Sequence, residues 1–183
     1  MMPESPDTVL VHDKLFRRHI TRVEIADTVL RLAQQIDRDH SNDNILLCPV
    51  LTGSYIFAAD LSRALQTTHE VVFVKYTSYE GMASTGKVNA KLPFDERCRG
   101  RHVVIVEDIV ESGLCMATML VHLALFQPAS VSICVLLFKP NLFKHSFKLD
   151  YIGFTIPDDF IVGYGLDYDG LGRQYPDLYI LDK

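Results

Sequence analysis

Residues 103–113 read VVIVEDIVESG, an apolar run followed by acidic residues and a Ser-Gly pair. The β-branched residues at its start are typical of a strand that is buried on both faces. Glu107 and Asp108 follow them, and Ser112-Gly113 forms a turn that opens a helix expected over about 114–126. In open α/β sheets, ligands bind at the carboxyl ends of the strands. This strand, loop and helix therefore predict a functional site.

Apolar runs and helical patterns alternate along the chain on both sides of this site. Strands are expected at residues 45–51, 71–74 and 131–138, and a helix with a Thr21/Glu24 capping box precedes them. Two apolar stripes fit that helix: Val23, Ala26, Leu30, Ala33 and Ile36, or Ile25, Val29, Leu32 and Ile36. The alternation predicts an α/β fold with a mainly parallel central sheet flanked by helices.

The last third of the chain differs from the rest, because it has short strands and turns without a clear helical pattern. We expect it to form a small lobe beside the α/β core. A length of 183 residues fits one domain better than two, so residues 1–183 are interpreted as a single domain.

The composition excludes several classes of function. The 18 Lys and Arg residues against 23 Asp and Glu give a net charge of −5, which argues against general binding to nucleic acid or a membrane surface. The sequence has neither a long apolar run that would span a membrane nor a start typical of a signal peptide. Its 4 cysteines are scattered and its 7 histidines are dispersed, which indicates a reduced, cytoplasmic protein without a zinc site.

The loop after residue 106 has the chemistry of a phosphate site. Backbone N–H groups of residues 111–115 would face the ligand at a helix N-terminus, and Ser112 would add a hydroxyl donor. Glu107 and Asp108 could accept hydrogen bonds from ribose hydroxyls or hold Mg²⁺. From spacing alone, an acidic loop whose Ser caps the next helix fits as well. Residues 77–91, rich in Ser, Thr and Gly, fit either a mobile active-site loop or an exposed hairpin.

The residue string at 103–113 resembles the signature with which type I phosphoribosyltransferases bind 5-phosphoribosyl 1-pyrophosphate (PRPP). Within that group the chain is similar to the hypoxanthine-guanine phosphoribosyltransferase family over most of residues 8–183. The motifs that carry the resemblance occur in the family's order: Leu51-Thr52-Gly53-Ser54, Ser78-Tyr79, Leu136-Leu137-Phe138-Lys139, and the segment from Phe154 to Tyr168 with Arg173 beyond it.

The resemblance implies a fold and an activity. The fold is that of a type I phosphoribosyltransferase, with a hood formed mainly by residues 139–183, to which N-terminal residues could add. The activity is purine salvage: hypoxanthine or guanine plus PRPP gives IMP or GMP plus pyrophosphate, with Mg²⁺ as cofactor. The family also implies association into a homodimer or homotetramer, without nucleic-acid or membrane partners.

The resemblance also assigns residues to roles. Glu111 is the implied catalytic base, which accepts the proton of purine N7. The PRPP contacts are Glu107, Asp108, Glu111, Ser112, Gly113, Leu114 and Cys115. The pyrophosphate contacts are Thr52, Gly53 and Arg173, and the flexible loop carries Ser78 and Tyr79. The purine contacts are Lys139, Phe160, Ile161 and Asp167, and the Mg²⁺ ligands are Glu107, Asp108 and Asp167.

Four positions depart from the family pattern. Family members usually carry Asp at the position of Glu111, Lys or a polar residue at that of Leu114, and Thr at that of Cys115. Thr52 replaces the usual Lys or Arg, and the peptide bond before that residue is often cis in the family. The phosphate loop thus has one cation and one hydroxyl fewer than usual.

Two functions other than a transferase fit parts of the sequence. A nucleotide-sensing regulator with the same fold would bind RNA or DNA through a basic face, which the charge of −5 disfavours. A signalling receiver domain would share the acidic pocket but leave Lys139, Phe160 and Asp167 without a role.

Overall fold

The structure, a computed structural model, describes residues 5–78 and 88–182. Three helices are α1 (Arg22–Asp39), α2 (Tyr55–Ala64) and α3 (Leu114–Ala124), with a short 3-10 helix at Glu96–Cys98. The first six strands are β1 (Thr8–Val11), β2 (Lys14–Ile20), β3 (Ile45–Pro49), β4 (His69–Val71), β5 (Lys75–Ser78) and β6 (Val88–Leu92). The others are β7 (His102–Val110), β8 (Ser130–Phe138), β9 (Tyr151–Thr155), β10 (Ile161–Val162) and β11 (Leu178–Leu181).

The central sheet has five strands in the order β4-β3-β7-β8-β9, and every neighbouring pair is parallel. The predicted α/β fold with a mainly parallel sheet is confirmed. β9 lies inside the segment expected to form the hood, yet it is the outer strand of this sheet. Parallel pairing brings the carboxyl ends of β3, β7 and β8 to one edge, where the loops that carry the predicted site residues emerge.

Apolar side chains cover both faces of the central sheet. On β3, Ile45 and Leu47 pack into one cluster with α1 and α2. Leu46 and Cys48 face the other way, into a cluster with α3 and the β5–β6 pair. Alternate residues of a strand point to opposite faces, so a continuously apolar strand is the pattern of a sheet that is covered on both sides.

Helix α1 begins at the expected capping box, in which Thr21 N donates to Glu24 Oε2 at 2.8 Å. Of the two stripes that fit its spacing, the one containing Ile25 is buried, whereas Val23 is 64% and Leu30 51% exposed. None of the helices within residues 5–78 and 88–182 combines the length and apolar character needed to cross a bilayer.

The second sheet is antiparallel, in the order β1-β2-β11-β10. Both ends of the chain therefore build it, and β2 pairs with β11 in its middle, with Arg17 opposite Ile180. This sheet, together with the segment that connects β10 to β11, is called the hood below. It lies over the edge of the central sheet at which β3, β7 and β8 end.

Candidate active site

The two acidic residues of the opening motif lie within β7. The strand continues through Val110, so Glu107 and Asp108 occupy its second half, and the loop begins only at Glu111. Burial raises the pKa of both carboxyl groups, and the adjacent charge of Asp108 raises the pKa of Glu107 further, well above its usual range. Two buried carboxyl groups that bind protons more readily than usual thus lie side by side near the carboxyl end of the central strand.

The loop after β7 encloses a cavity of about 220 Å³. Its lining includes Glu107 and all five residues predicted for the phosphate loop: Glu111, Ser112, Gly113, Leu114 and Cys115. Gly113 precedes α3 with a φ of 83°. The ring of Phe143 occupies the space that a side chain at this position would need. The first backbone bond of α3 runs from Ala117 N to Gly113 O, and Leu114 N–H donates to Ser112 Oγ at 3.4 Å. The amides of Cys115 and Met116 are therefore available to an anion in this cavity.

Three side chains that depart from the family pattern line this cavity: Glu111, Leu114 and Cys115. Leu114 is 37% exposed and contributes only apolar surface. Burial and the charges of Glu107 and Asp108 raise the pKa of the Cys115 thiol to about 12, so it remains protonated at neutral pH. In this loop, the groups able to bind a phosphate are therefore backbone amides and the Ser112 hydroxyl.

A larger cavity of about 520 Å³ separates β7 from the hood. All four residues predicted to contact a purine line it: Lys139, Phe160, Ile161 and Asp167. Asp108 and Glu111 line its β7 side. Phe160 is 43% exposed, and its ring lies edge-on to Tyr168 with centroids 5.8 Å apart. An exposed ring face in a cleft is suited to stacking on a planar base.

Lys139 and Glu111 form an ion pair in the wall of the larger cavity. The Lys139 ammonium donates to Glu111 Oε1. Lys139 is only 3% exposed and is held by a backbone bond from its N–H to Val110 O at 3.0 Å. The side chain of Glu111 is 48% exposed. The pair thus places a buried cation beside a half-exposed anion.

The loop that carries Thr52 and Gly53, which are predicted to contact pyrophosphate, touches the hood at Gly165. The Leu51–Thr52 peptide bond is cis, and Thr52 is exposed. A methyl group on Gly53 would lie 1.6 Å from Asp108 Oδ2, and one on Gly165 would lie 2.1 Å from Gly53 O. Both positions require glycine, because the loop, the hood and the β7 carboxylate touch there.

Arg173 joins the same junction through two contacts. Its guanidinium donates to Gly165 O at 2.6 Å and pairs with Asp167 Oδ1 at 2.6 Å. Its charge also acts on Asp108, whose pKa it lowers against the larger effect of burial. The predicted pyrophosphate residues therefore adjoin two of the three predicted Mg²⁺ ligands.

The donor set of Glu107, Asp108 and Asp167 fits a hard divalent cation. All three offer carboxylate oxygens, which hard divalent cations prefer, and burial raises the pKa of Glu107 and of Asp108. Asp108 and Asp167 line the larger cavity, and Glu107 lines the smaller one beside it. Asp167 is also held by Arg173 and by the N–H of Gly170 at 2.7 Å.

Sequence reasoning assigned no role to five residues that line the larger cavity: Lys14, Ile109, Leu166, Tyr168 and Asp169. Lys14 and Tyr168 both line it, and the Lys14 ammonium lies 4.6 Å from the centre of the Tyr168 ring. Tyr168 ends the hood motif but had no assigned role. Lys14 carries no local signal, since only the pairing of β2 with the C-terminal strands brings it to the site.

The predicted flexible loop lies mostly beyond the described residues. β5 ends at Ser78 and β6 begins at Val88, and the two strands pair in antiparallel register. The strands on either side of the predicted flexible loop thus pair as an antiparallel ladder. Tyr79 lies outside the described residues.

Comparison with known proteins agrees with this geometry. The phosphoribosyl transferase domain family matches residues 20–169. The chain belongs to this phosphoribosyltransferase family. The hypoxanthine phosphoribosyltransferase of Escherichia coli strain K12 is 40% identical over 160 residues, which cover 86% of this chain and 90% of the relative. The hypoxanthine-guanine phosphoribosyltransferase of Aquifex aeolicus is 33% identical over 94% of this chain and 98% of the relative.

Solved structures place the phosphoribosyltransferase within the same group. A crystal structure of a hypoxanthine-guanine phosphoribosyltransferase from Bacillus anthracis superposes with a TM-score of 0.85 at 36% identity, covering 91% of this chain and 96% of the other. The type I phosphoribosyltransferase fold and the family suggested by the motifs are confirmed. The receiver-domain alternative is wrong, because this family accounts for the hood and for the motif order.

Proposed function

We propose that this phosphoribosyltransferase transfers the phosphoribosyl group of PRPP to N9 of hypoxanthine or guanine, which forms IMP or GMP and releases pyrophosphate. The main support for this proposal is the larger cavity, which is lined by Lys139, Glu111 and Phe160 together with Asp108 of β7. The names of the bacterial relatives and of the superposed structure support the same reaction. This reaction would recover free purine bases as nucleotides, which is purine salvage.

The Lys139–Glu111 pair supports recognition of a 6-oxopurine. Such a base with a proton on N7 presents an acceptor, O6, next to a donor, N7–H. The Lys139 ammonium can donate to O6 while the Glu111 carboxylate accepts from N7–H. A 6-amino purine places a second donor against Lys139, which has no acceptor to offer. Phe160 would stack on the base, and backbone groups at Ile161 would meet its other edge.

PRPP would occupy the remaining surfaces. The amides of residues 112–115 and the Ser112 hydroxyl suit its 5′-phosphate, and Glu107 and Asp108 suit the ribose hydroxyls. Thr52, Gly53 and Arg173 adjoin the position of the pyrophosphate. As the bond from ribose C1′ to N9 forms, positive charge builds on the purine and N7–H becomes acidic. Glu111 would take that proton as a general base.

Mg²⁺ is the cofactor that the donor set favours. Glu107, Asp108 and Asp167 would hold it, and when bound it would neutralise charge on the departing pyrophosphate. Burial, and after it the charge of Asp108, raises the pKa of Glu107, and a bound cation would favour the ionised form of this carboxyl group.

A base panel tests the proposed reaction. The purified protein is mixed with PRPP, Mg²⁺ and, in turn, hypoxanthine, guanine, xanthine or adenine, and nucleotide formation is followed by absorbance. We expect turnover with hypoxanthine or guanine and none with adenine. Absence of turnover with every base, together with specific RNA binding, would instead support the nucleotide-sensing regulator.

Assembly and location are part of the proposal. Half-exposed apolar side chains on one flank, Leu30, Tyr55, Val71 and Phe73, support association into a homodimer or homotetramer. The four free cysteines support a reduced, cytoplasmic location. We treat residues 1–183 as a single phosphoribosyltransferase domain. Light scattering that gives a stable, active monomer would contradict the proposed assembly.

A further inference from the structure

Three metal-ligating side chains meet at the edge of the central sheet opposite the active site. His40 ends α1, Asp43 lies in the turn that follows, and His102 is the first residue of β7. One potential ligand atom from each lies within 4.8 Å of the others. The histidines are distant in sequence, which is why their dispersal argued against a zinc site. Parallel pairing of β3 with β7 brings them together.

The spacing of these atoms is close to that of a metal site. His40 Nδ1 and Asp43 Oδ2 form a hydrogen bond of 2.9 Å, which a metal ion would replace, and His102 Nε2 lies 3.6 Å from Asp43 Oδ1. Zinc binds imidazole nitrogen and carboxylate oxygen at about 2.0–2.2 Å, which sets tetrahedral ligand atoms about 3.3 Å apart. Small side-chain shifts would therefore bring all three to bonding distance.

His102 already has the outer hydrogen bond that ligating histidines use. Its Nδ1 lies 2.8 Å from Oγ of Ser130, the residue opposite it on β8. With the Nδ1 proton donated to Ser130, the lone pair of Nε2 faces the Asp43 carboxylate. At 3.6 Å that contact is too long for a hydrogen bond, so two electron-rich groups face each other across a gap suited to a cation.

Burial and neighbouring charges favour an ion at this place. The His40 side chain is 9% exposed, whereas Asp43 and His102 are 29% and 37% exposed, so an ion can enter and keep one position for water. The guanidinium of Arg101, the nearest cation in sequence, is engaged elsewhere, by Glu70 Oε1 at 2.9 Å and Asn44 Oδ1 at 3.2 Å.

We propose that His40, Asp43 and His102 form a zinc-binding site that fastens the end of α1 to the start of β7. Two imidazoles and a carboxylate are donors that Zn²⁺ favours over Mg²⁺. Glu107 lies five positions after His102 along β7, a distance of about 16 Å at 3.3 Å per residue. The site is thus separate from the catalytic carboxylates and acts on stability.

Zinc titration with matched variants tests the proposal. Isothermal titration with Zn²⁺ is run in excess Mg²⁺, which occupies the oxygen donors of the active site. His102→Asn retains a side-chain nitrogen near Ser130 and removes Nε2, and Asp43→Asn removes the carboxylate charge. His69→Gln is the control, because His69 begins β4 at the same sheet edge but bonds to Ser62 and Thr67.

We expect the wild type and His69→Gln to bind about one Zn²⁺ per chain with similar affinity. Affinity should fall by more than about 100-fold in His102→Asn and in Asp43→Asn, since loss of an outer partner alone costs about 10–100-fold. X-ray absorption should show two imidazole nitrogens, and Zn²⁺ should raise the melting temperature of the wild type but not of His102→Asn. Absence of stoichiometric binding, unchanged affinity in either ligand variant, or oxygen-only coordination would overturn the proposal.

Discussion

Gly165→Ala tests whether the hood must touch the pyrophosphate loop for the enzyme to work. Gly165 has a φ of 103°, and an added methyl group would lie 2.1 Å from Gly53 O. Carbon and oxygen atoms rarely approach within about 3.0 Å, so the two backbones must separate by about 1 Å. Gly53 in turn lies against Asp108, so the displacement would reach a β7 carboxylate.

The expected effect follows from two separate costs. A non-glycine residue at this φ carries about 1–3 kcal/mol of backbone strain, which lowers the melting temperature by about 2–4 °C for each kcal/mol in a chain of this length. A misplacement of about 1 Å at reacting groups can cost about 10²-fold in rate. We therefore expect kcat/KM for PRPP to fall by about 10²-fold in Gly165→Ala.

Gly170→Ala is the control that introduces backbone strain without displacing a neighbouring backbone. Gly170 has a similar φ of 87°, but an added methyl group would meet nothing within 4 Å. We expect its melting temperature to fall like that of Gly165→Ala while kcat/KM stays within about threefold of the wild type. Steady-state kinetics and thermal melts measure both quantities. Equal kcat/KM in the two variants would refute the argument that hood contact positions Asp108.

Three further variants test the roles of charged groups. Lys139→Ala should lose one charge-assisted hydrogen bond to O6, about 1.5–3 kcal/mol in kcat/KM for hypoxanthine and guanine; near-native kinetics would remove Lys139 from the base site. Glu111→Gln should lower kcat by about 10²–10⁴-fold while PRPP binding persists; an unchanged kcat with rate-limiting chemistry would contradict a base at this position. The raised pKa of Glu107 means that the folded state holds a proton which the unfolded state releases, so stability falls as pH rises above the group's ordinary pKa. Glu107→Gln should show a smaller fall in urea unfolding without Mg²⁺, and equal pH dependence in both proteins would contradict the burial argument.

The central sheet could be predicted because its signal is local. The four apolar residues before Glu107 specify a strand covered on both faces by their composition alone. The hood sheet has no such signal, since its central pairing joins Arg17 of β2 to Ile180 of β11 at the other end of the chain. Short strands acquire their partners only from the tertiary fold.

The same distinction applies to functional residues. The string from Glu107 to Cys115 is contiguous in the chain, so a motif could find it. The structure places all of these residues except Asp108 around one cavity, and Asp108 lines the larger cavity beside it. Lys14 reaches the larger cavity only through the hood. The clustering of His40 with His102 depends on strand order, which spacing along the chain does not reveal.

The ion pair of Lys139 and Glu111 has a consequence for substrate discrimination. In the empty cavity each charge already has a partner, so an incoming base must replace an existing contact and cannot simply fill a vacancy. With the proposed roles of Lys139 and Glu111, a 6-oxopurine would restore a partner to both ends at once, through O6 and N7–H. Adenine would offer no acceptor to Lys139, and it would leave a nearly fully buried side chain, 3% exposed, with its ammonium facing the donor N–H groups of the 6-amino substituent. The selectivity ratio therefore includes the penalty on the wrong base as well as the gain on the right one, and it should exceed what a single hydrogen bond supplies.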